Sequence, residues 1–243
     1  MLRNQHSACL VLIDLSQADE SRLRPLSSVL DAQEHERWQR LRLPQRQGQF
    51  LAAHLALRHA LGQVLNCDAA ALRFLLGEFG KPALADQALE FNFSHSGDWA
   101  LLAIGNEAMG VDIEALIGNP TERLASQVLS ADELSHWTSL SELERSPALT
   151  QAWTAREALL KADGGGLRWD LQRARLPSAL PGWAEIRDQQ RPWWLQRLPA
   201  PVGLVACLAT QEPPKELEFW RFCWDSMRLV VDSVPRSKEG RSD

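Results

Sequence analysis

LEFNFSHSGDWALLAIGNEAMGVDIEAL, residues 89–116, is the stretch on which the architecture turns. Phe91 and Phe93 alternate with Asn92 and Ser94, the period of two expected of a strand with one buried face. A polar loop from Ser94 to Asp98 follows, and WALLAIG at 99–105 is apolar on both faces. Gly105 to Ala108 read as a hairpin connection into Met109–Glu114. Centred near residues 106 and 107, that hairpin sets Glu114 opposite Trp99 and Asp112 opposite Leu101, close to the loop holding Ser94 and His95.

The run Met109-Gly110-Val111 looks like a strand entering a core, yet Asp112 and Glu114 follow at once, separated only by Ile113. Side chains alternate along a strand, so the two acids share one face while Val111 and Ile113 share the other. The core takes the valine and isoleucine and leaves the carboxylates at a cleft. A D-x-E pair reads either as a solvated strand end or as ligands for a hard, oxygen-seeking cation. Beside phosphate oxygens the natural choice is magnesium.

Upstream, CLVLIDL at 9–15 reads as a buried first strand and DAQEHERWQRL at 31–41 as a short polar helix. A longer helix begins at Pro44, with Phe50, His54, Leu57, Leu61 and Leu65 on one apolar stripe. His54 on that stripe reads as a satisfied core histidine. LRFLLGEFGKPAL at 72–84 is a strand followed by a Gly-Lys-Pro turn. Downstream, Ser130 with Glu133 three residues on marks a capped helix start. In SPALTQAWTAREALLKADGGGL at 146–167, Ser146 reads as N-cap, Pro147 as the first helical residue and Gly164 as the residue past the end. VGLVACLAT and LEFWRFCW read as strands, and the polar residues 234–243 are expected to be disordered.

With 243 residues the chain is long enough to bury a real core. A net charge of −5 argues against a duplex nucleic-acid binder. Cys9, Cys67, Cys207 and Cys223 form no CxxC pair, so neither a zinc site nor a disulfide framework is expected, and a reducing compartment is. The apolar run ACLVLI is cut off by Asp14, too short for a signal-peptide core or a membrane span. A cytoplasmic location is expected. Ten tryptophans beside no tyrosine read as aromatic core filling.

On the helix around residue 155, Leu149, Ala152, Trp153, Arg156 and Leu160 gather on one face, and Glu157 and Lys161 are neighbours four apart along its flank. That pair reads either as a surface ion pair or as a third carboxylate beside an ammonium that holds a phosphate. Gly164-Gly165-Gly166 exceeds what one helix cap requires. The turns FGKP and FNFSHSGDW add a lysine, a serine and a histidine that suit a multiply phosphorylated ligand.

FGKP, FNFSHSGDWALLAI, GVDIE and WTAREALLKADGGGL, in this order across residues 79–167, closely resemble the Sfp-type 4′-phosphopantetheinyl transferases. The resemblance implies an α+β fold of two pseudo-symmetric halves, each a long helix on a small antiparallel sheet, with the active site in the cleft between them. On the present numbering the halves would be residues 1–106 and 107–233, with 234–243 as a tail. It implies transfer of the phosphopantetheine arm of coenzyme A to a serine of an apo acyl or peptidyl carrier protein, releasing adenosine 3′,5′-bisphosphate. Asp112, Glu114 and Glu157 would hold magnesium (Mg2+), Glu157 would also be the general base, and Lys161 would meet the diphosphate. Ser94 and His95 match positions that contact the coenzyme's phosphates, and Gly80, Lys81 and Pro82 match the turn at the adenine end. The protein is expected to act as a monomer, with no nucleic-acid or membrane partner.

Two positions depart from the family pattern. Arg156 stands where a lysine is usual; its phase on the apolar face reads as a structural ion-pair partner. Gln49 stands where an arginine usually meets the 3′-phosphate, and Arg46 or Arg37 are the candidates to replace it. The basic run ERWQRLRLPQR also reads as a solvated helix face or as a contact for an acidic carrier helix. The rival readings are a magnesium-dependent phosphodiesterase or nuclease, and an inactive carrier-protein-binding homologue.

Overall fold

The computed structural model describes residues 7–165, 171–187 and 189–232. In chain order they form β1 (Ser7–Asp14), α1 (Glu20–Leu23), α2 (Ala32–Arg40), α3 (Pro44–Leu65), β2 (Phe74–Leu76), β3 (Pro82–Leu84), β4 (Glu90–Ser96), β5 (Trp99–Gly105) and β6 (Met109–Ala115). Then come α4 (Glu122–Val128), α5 (Ala131–Ser139), α6 (Glu142–Asp163), β7 (Ala174–Arg175), β8 (Gly182–Ile186), β9 (Trp193–Leu198), β10 (Leu204–Thr210), β11 (Glu216–Cys223) and β12 (Arg228–Val231). The tail 234–243 and Gly166 of the glycine run lie outside the described residues.

The fold is α+β, with two five-stranded sheets ordered β12-β11-β1-β5-β4 and β6-β10-β9-β8-β7, and a separate β2–β3 hairpin. Each large sheet carries one 22-residue helix. On the first, Leu51, Leu55 and Leu61 of α3 pack with Val11, Ile13, Leu102 and Ile104. On the second, Ala155, Ala158 and Leu159 of α6 pack with Leu195, Cys207 and Ala209. The opposite faces meet in a third cluster, Leu10 and Leu101 against Val111, Ile113 and Leu208. Each such buried aliphatic side chain contributes about 1.5–3 kcal/mol.

Three expectations are corrected. β5 and β6 are consecutive but not paired: the chain crosses to the second sheet, where β6 pairs with β10 and Asp112 faces Cys207 across the ladder, not Leu101. Val111 and Ile113 are needed in the cluster between the sheets, which a flat β5–β6 hairpin would not supply. Next, β11 and β12, grouped by the sequence reading with the second half, join the first sheet, β11 lying parallel to β1. Finally, α6 starts at Glu142 rather than at Pro147, because the Ser141 N–H and hydroxyl both donate to the Glu144 carboxylate, at 3.1 and 2.6 Å, and fix an earlier terminus. Pro147 is then inside the helix, in its second turn.

Other local signals hold. Pro44 opens α3, whose Asn66 cap is left-handed (φ 55°), and Gly164 closes α6 at φ 80°, its N–H on the Leu160 carbonyl. α3 is buried nearly all round at its middle, so the single stripe describes only part of its packing. His54 is satisfied, with Nδ1 2.8 Å from Glu34 Oε1 and its ring stacked on Phe50. Arg156 is buried and bonds Glu133 of α5 at 2.6 Å, the structural pairing expected of it. Among the described residues no helix is long and apolar enough to cross a membrane.

Candidate active site

β4 and β6 are edge strands of different sheets, brought side by side without a shared ladder. Side chains join them instead. Asn92 Oδ1 accepts from the Val111 N–H at 2.8 Å, the Ser94 hydroxyl donates to Asp112 Oδ1 at 2.7 Å, and the Ser96 hydroxyl donates to Glu114 Oε2 at 2.7 Å. The period of two is the same on both strands, so one serine meets each acid. From α6, Lys161 Nζ donates to Asp112 Oδ1 at 2.6 Å and to Ser94 Oγ at 3.0 Å.

Asn92, Ser94, Asp112, Glu114 and Lys161 line a cavity of about 810 Å³, which also collects Gly80, Lys81, Pro82, His95 and Glu157. Phe79, Phe93, Trp153 and Leu160 supply apolar wall. A cleft of this size with a few convergent polar groups is a small-molecule site by its shape. Of the candidate residues, only Arg37 and Arg46 stand outside the lining; both are exposed. Gln49 donates to Asp98 Oδ1 at 3.0 Å, bracing the β4–β5 turn. Lys81 lines the wall, and its ammonium donates to the Met109 carbonyl at 3.0 Å.

What held α6 against β6 was not read from the sequence. A Cβ on Gly110 would clash with the Ala158 carbonyl and the Ala162 amide, so glycine alone permits the approach that sets Glu157 and Lys161 beside the acids. Ser96 was also missed; its signal was the S-x-S spacing of Ser94 and Ser96, matching the D-x-E spacing of Asp112 and Glu114.

The electrostatics favour a cationic guest. Burial raises the Glu157 carboxyl above its ordinary value; the Lys161 charge opposes this, while Asp112 and Glu114 add to it. Burial likewise raises Glu114, with the Ser96 hydrogen bond opposing and Asp112 adding. Burial pushes the Lys81 ammonium down. Among the described residues no three His, Cys, Asp or Glu side chains form a ready-made metal cluster. Yet Asp112 Oδ2 and Glu157 Oε1 are buried without a hydrogen-bond partner, which is the state of carboxylates waiting for a counterion. The donor set, all hard oxygens, fits magnesium.

Comparison with known proteins gives the family. A family model of the 4′-phosphopantetheinyl transferase superfamily matches residues 108–200, and one of the 4′-phosphopantetheinyl transferase N-terminal part matches residues 17–107. The chain is 30% identical over 212 residues to the 4′-phosphopantetheinyl transferase HetI of Nostoc, covering 84% of this chain and 87% of that one. It is 35% identical over 159 residues to a putative 4′-phosphopantetheinyl transferase of Synechocystis, covering 62% of this chain and 65% of that protein, just under two thirds. To the 4′-phosphopantetheinyl transferase Sfp of Bacillus subtilis it is 24% identical over 84% of this chain and 91% of that one. The protein belongs to the 4′-phosphopantetheinyl transferase family, and within it to the Sfp type.

Proposed function

We propose that the protein moves the 4′-phosphopantetheine arm of coenzyme A onto a serine hydroxyl of an apo acyl or peptidyl carrier protein, releasing adenosine 3′,5′-bisphosphate. The observation that carries this reading is the meeting of Asp112, Glu114, Glu157 and Lys161 in one cavity with Ser94, His95 and the Gly80–Pro82 turn. The three metal and base candidates and Lys161 come from β6 and α6, and the other phosphate and adenine candidates from β4 and the β2–β3 hairpin.

In this reading Asp112, Glu114 and Glu157 would hold magnesium, which when bound neutralises charge on the diphosphate. Phosphoryl transfer asks mainly for in-line placement and charge neutralisation, not covalent work by the protein. Lys161 holds the diphosphate from the α6 side. Glu157 takes the proton of the carrier serine as its oxygen attacks the phosphorus that bears the pantetheine arm. The bond from that phosphorus to the bridging oxygen breaks, and the electron pair leaves with the adenosine bisphosphate. His95 and Ser94 receive coenzyme phosphates, and Arg37 or Arg46 replaces at the 3′-phosphate the arginine that Gln49 displaces. The free cysteines Cys9, Cys67, Cys207 and Cys223 suit the cytoplasm, where coenzyme A and carriers meet.

The test is intact-mass analysis of several purified apo carriers after incubation with coenzyme A and magnesium. The expected result is a mass gain of one phosphopantetheine arm on at least one carrier, abolished by chelation. No gain on fatty-acid, polyketide or peptide-type carriers, with plasmid or cyclic-nucleotide cleavage instead, would hand the site to a phosphodiesterase.

A further inference from the structure

Lys81 lines the candidate cavity, yet its ammonium is committed to protein backbone. Nζ donates to the Met109 carbonyl at 3.0 Å and lies 3.5 Å from the Ala162 carbonyl. Met109 opens β6, and Ala162 is in the last turn of α6. The last carbonyls of a helix lack partners within it, and a cation there also meets the negative end of the helix dipole. Leu160 has Gly164 for its carbonyl; Ala162 has the lysine. The same seam is closed from beneath by Gly110, pressed onto Ala158 and Ala162.

The two elements so joined carry the whole set of acids and the phosphate lysine: Asp112 and Glu114 follow Met109 on β6, and Glu157 and Lys161 precede Ala162 on α6. We propose that Lys81 is a positioning residue, tying the β2–β3 hairpin to the start of β6 and the end of α6 and so setting the spacing between the β6 acids and Glu157. This rests on the transferase reading for its purpose, though not for its measurement. It gives the lysine a role distinct from contact with coenzyme A.

Manganese(II), read by its electron paramagnetic resonance, serves as the metal probe on the full chain, beside calorimetric titration of coenzyme A and of its dephospho form without metal. Lys81→Met should weaken manganese binding about ten- to a hundredfold, as loss of a supporting group outside the metal's own ligands commonly does. The preference for coenzyme A over its dephospho form should persist, and Lys81→Arg should restore most of the metal affinity. Unchanged manganese binding with only a lower melting temperature would overturn the proposal. So would a loss of coenzyme A affinity that erases its preference over the dephospho form, since Lys81 would then be a ligand contact. Should Lys81→Met fail to fold, Lys81→Gln, uncharged and one bond shorter, carries the same comparison. Absence of transfer to every carrier alongside the manganese effect would sink the transferase reading and leave this one standing.

Discussion

Lys161 Nζ sits 2.6 Å from Asp112 Oδ1, while the other oxygen of that carboxylate, Oδ2, is buried with no hydrogen-bond partner among the described residues. The salt bridge therefore satisfies half of Asp112 and leaves the rest directed to something else. Removing the lysine should cost about a hundred- to a thousandfold in transfer, the usual price for losing one charge-stabilising donor. Lys161→Ala assayed by carrier mass shift, with a wild-type melting curve as control, measures this; transfer within a few-fold of normal would take Lys161 out of the chemistry.

Glu157→Gln keeps shape and volume but cannot accept the serine proton. Turnover should fall by about a hundred- to ten-thousandfold, the range of general-base catalysis. Calorimetry should still show coenzyme A binding. Retained turnover would remove the base assignment.

Ser96→Ala deletes the hydroxyl on Glu114 Oε2 and leaves the Ala115 N–H without its 3.2 Å acceptor. Hydrogen bonds to charged groups are worth about 1.5–3 kcal/mol. We expect weaker metal binding, seen as a rise in the magnesium concentration for half-maximal transfer, and little change in carrier KM. An unaltered magnesium titration would show that Glu114 holds its place unaided.

Gly110→Ala should destabilise the fold by about 1–3 kcal/mol, the range for overpacking a tight contact. Its methyl group meets backbone of α6, which cannot turn aside as a side chain would. Chemical denaturation gives the stability loss, and transfer should fall with it, since Glu157 moves away from Asp112. A variant as stable as the parent would mean that α6 is free to shift.

Acid should loosen the helices of the first sheet as it protonates Glu34. Burial pushes the Glu34 carboxyl up, but the hydrogen bond and charge of His54 and the charge of Arg58 outweigh it and hold Glu34 below its ordinary 4.5. A carboxylate depressed in the folded state stabilises above its unfolded value, so this contribution is full above pH 4.5 and is lost as pH falls through the lower folded value. Arg58, wholly buried, also bonds Asp31 and the Ala69 and Leu72 carbonyls. Glu34→Gln would leave that guanidinium short of charge and cost about 3–5 kcal/mol at neutral pH, with a flatter acid limb in the melting curve. An acid limb of unchanged steepness would assign the loss to other carboxylates.

Much of this was legible in the letters, for a physical reason. Alternation along β4 and β6 fixes which side chains share a face, so Asp112 with Glu114, and Val111 with Ile113, were separable at sight. Alternation says nothing of neighbours, and so the partner of β6, ninety-odd residues on in β10, was misplaced onto β5. Likewise Pro147 outshone Ser141 as a start signal, because a proline is read from one letter and a capping box from two. The role of Gly110 was invisible for a different cause: a missing side chain matters only through what stands opposite, and the backbone of α6 is known only in three dimensions.

The parallel pairing of β1 with β11 bears on how the chain reaches this shape. As the polypeptide emerges from a ribosome, the eight residues of β1 precede the neighbour on one flank by about two hundred residues. Contacts so distant along the sequence are slow to form. Until they do, an apolar strand keeps one open edge, the feature that invites association with other chains. Shortening the chain ahead of residue 216 would therefore be expected to yield insoluble material rather than a working fragment, and chaperone supply during expression to decide the yield of the whole.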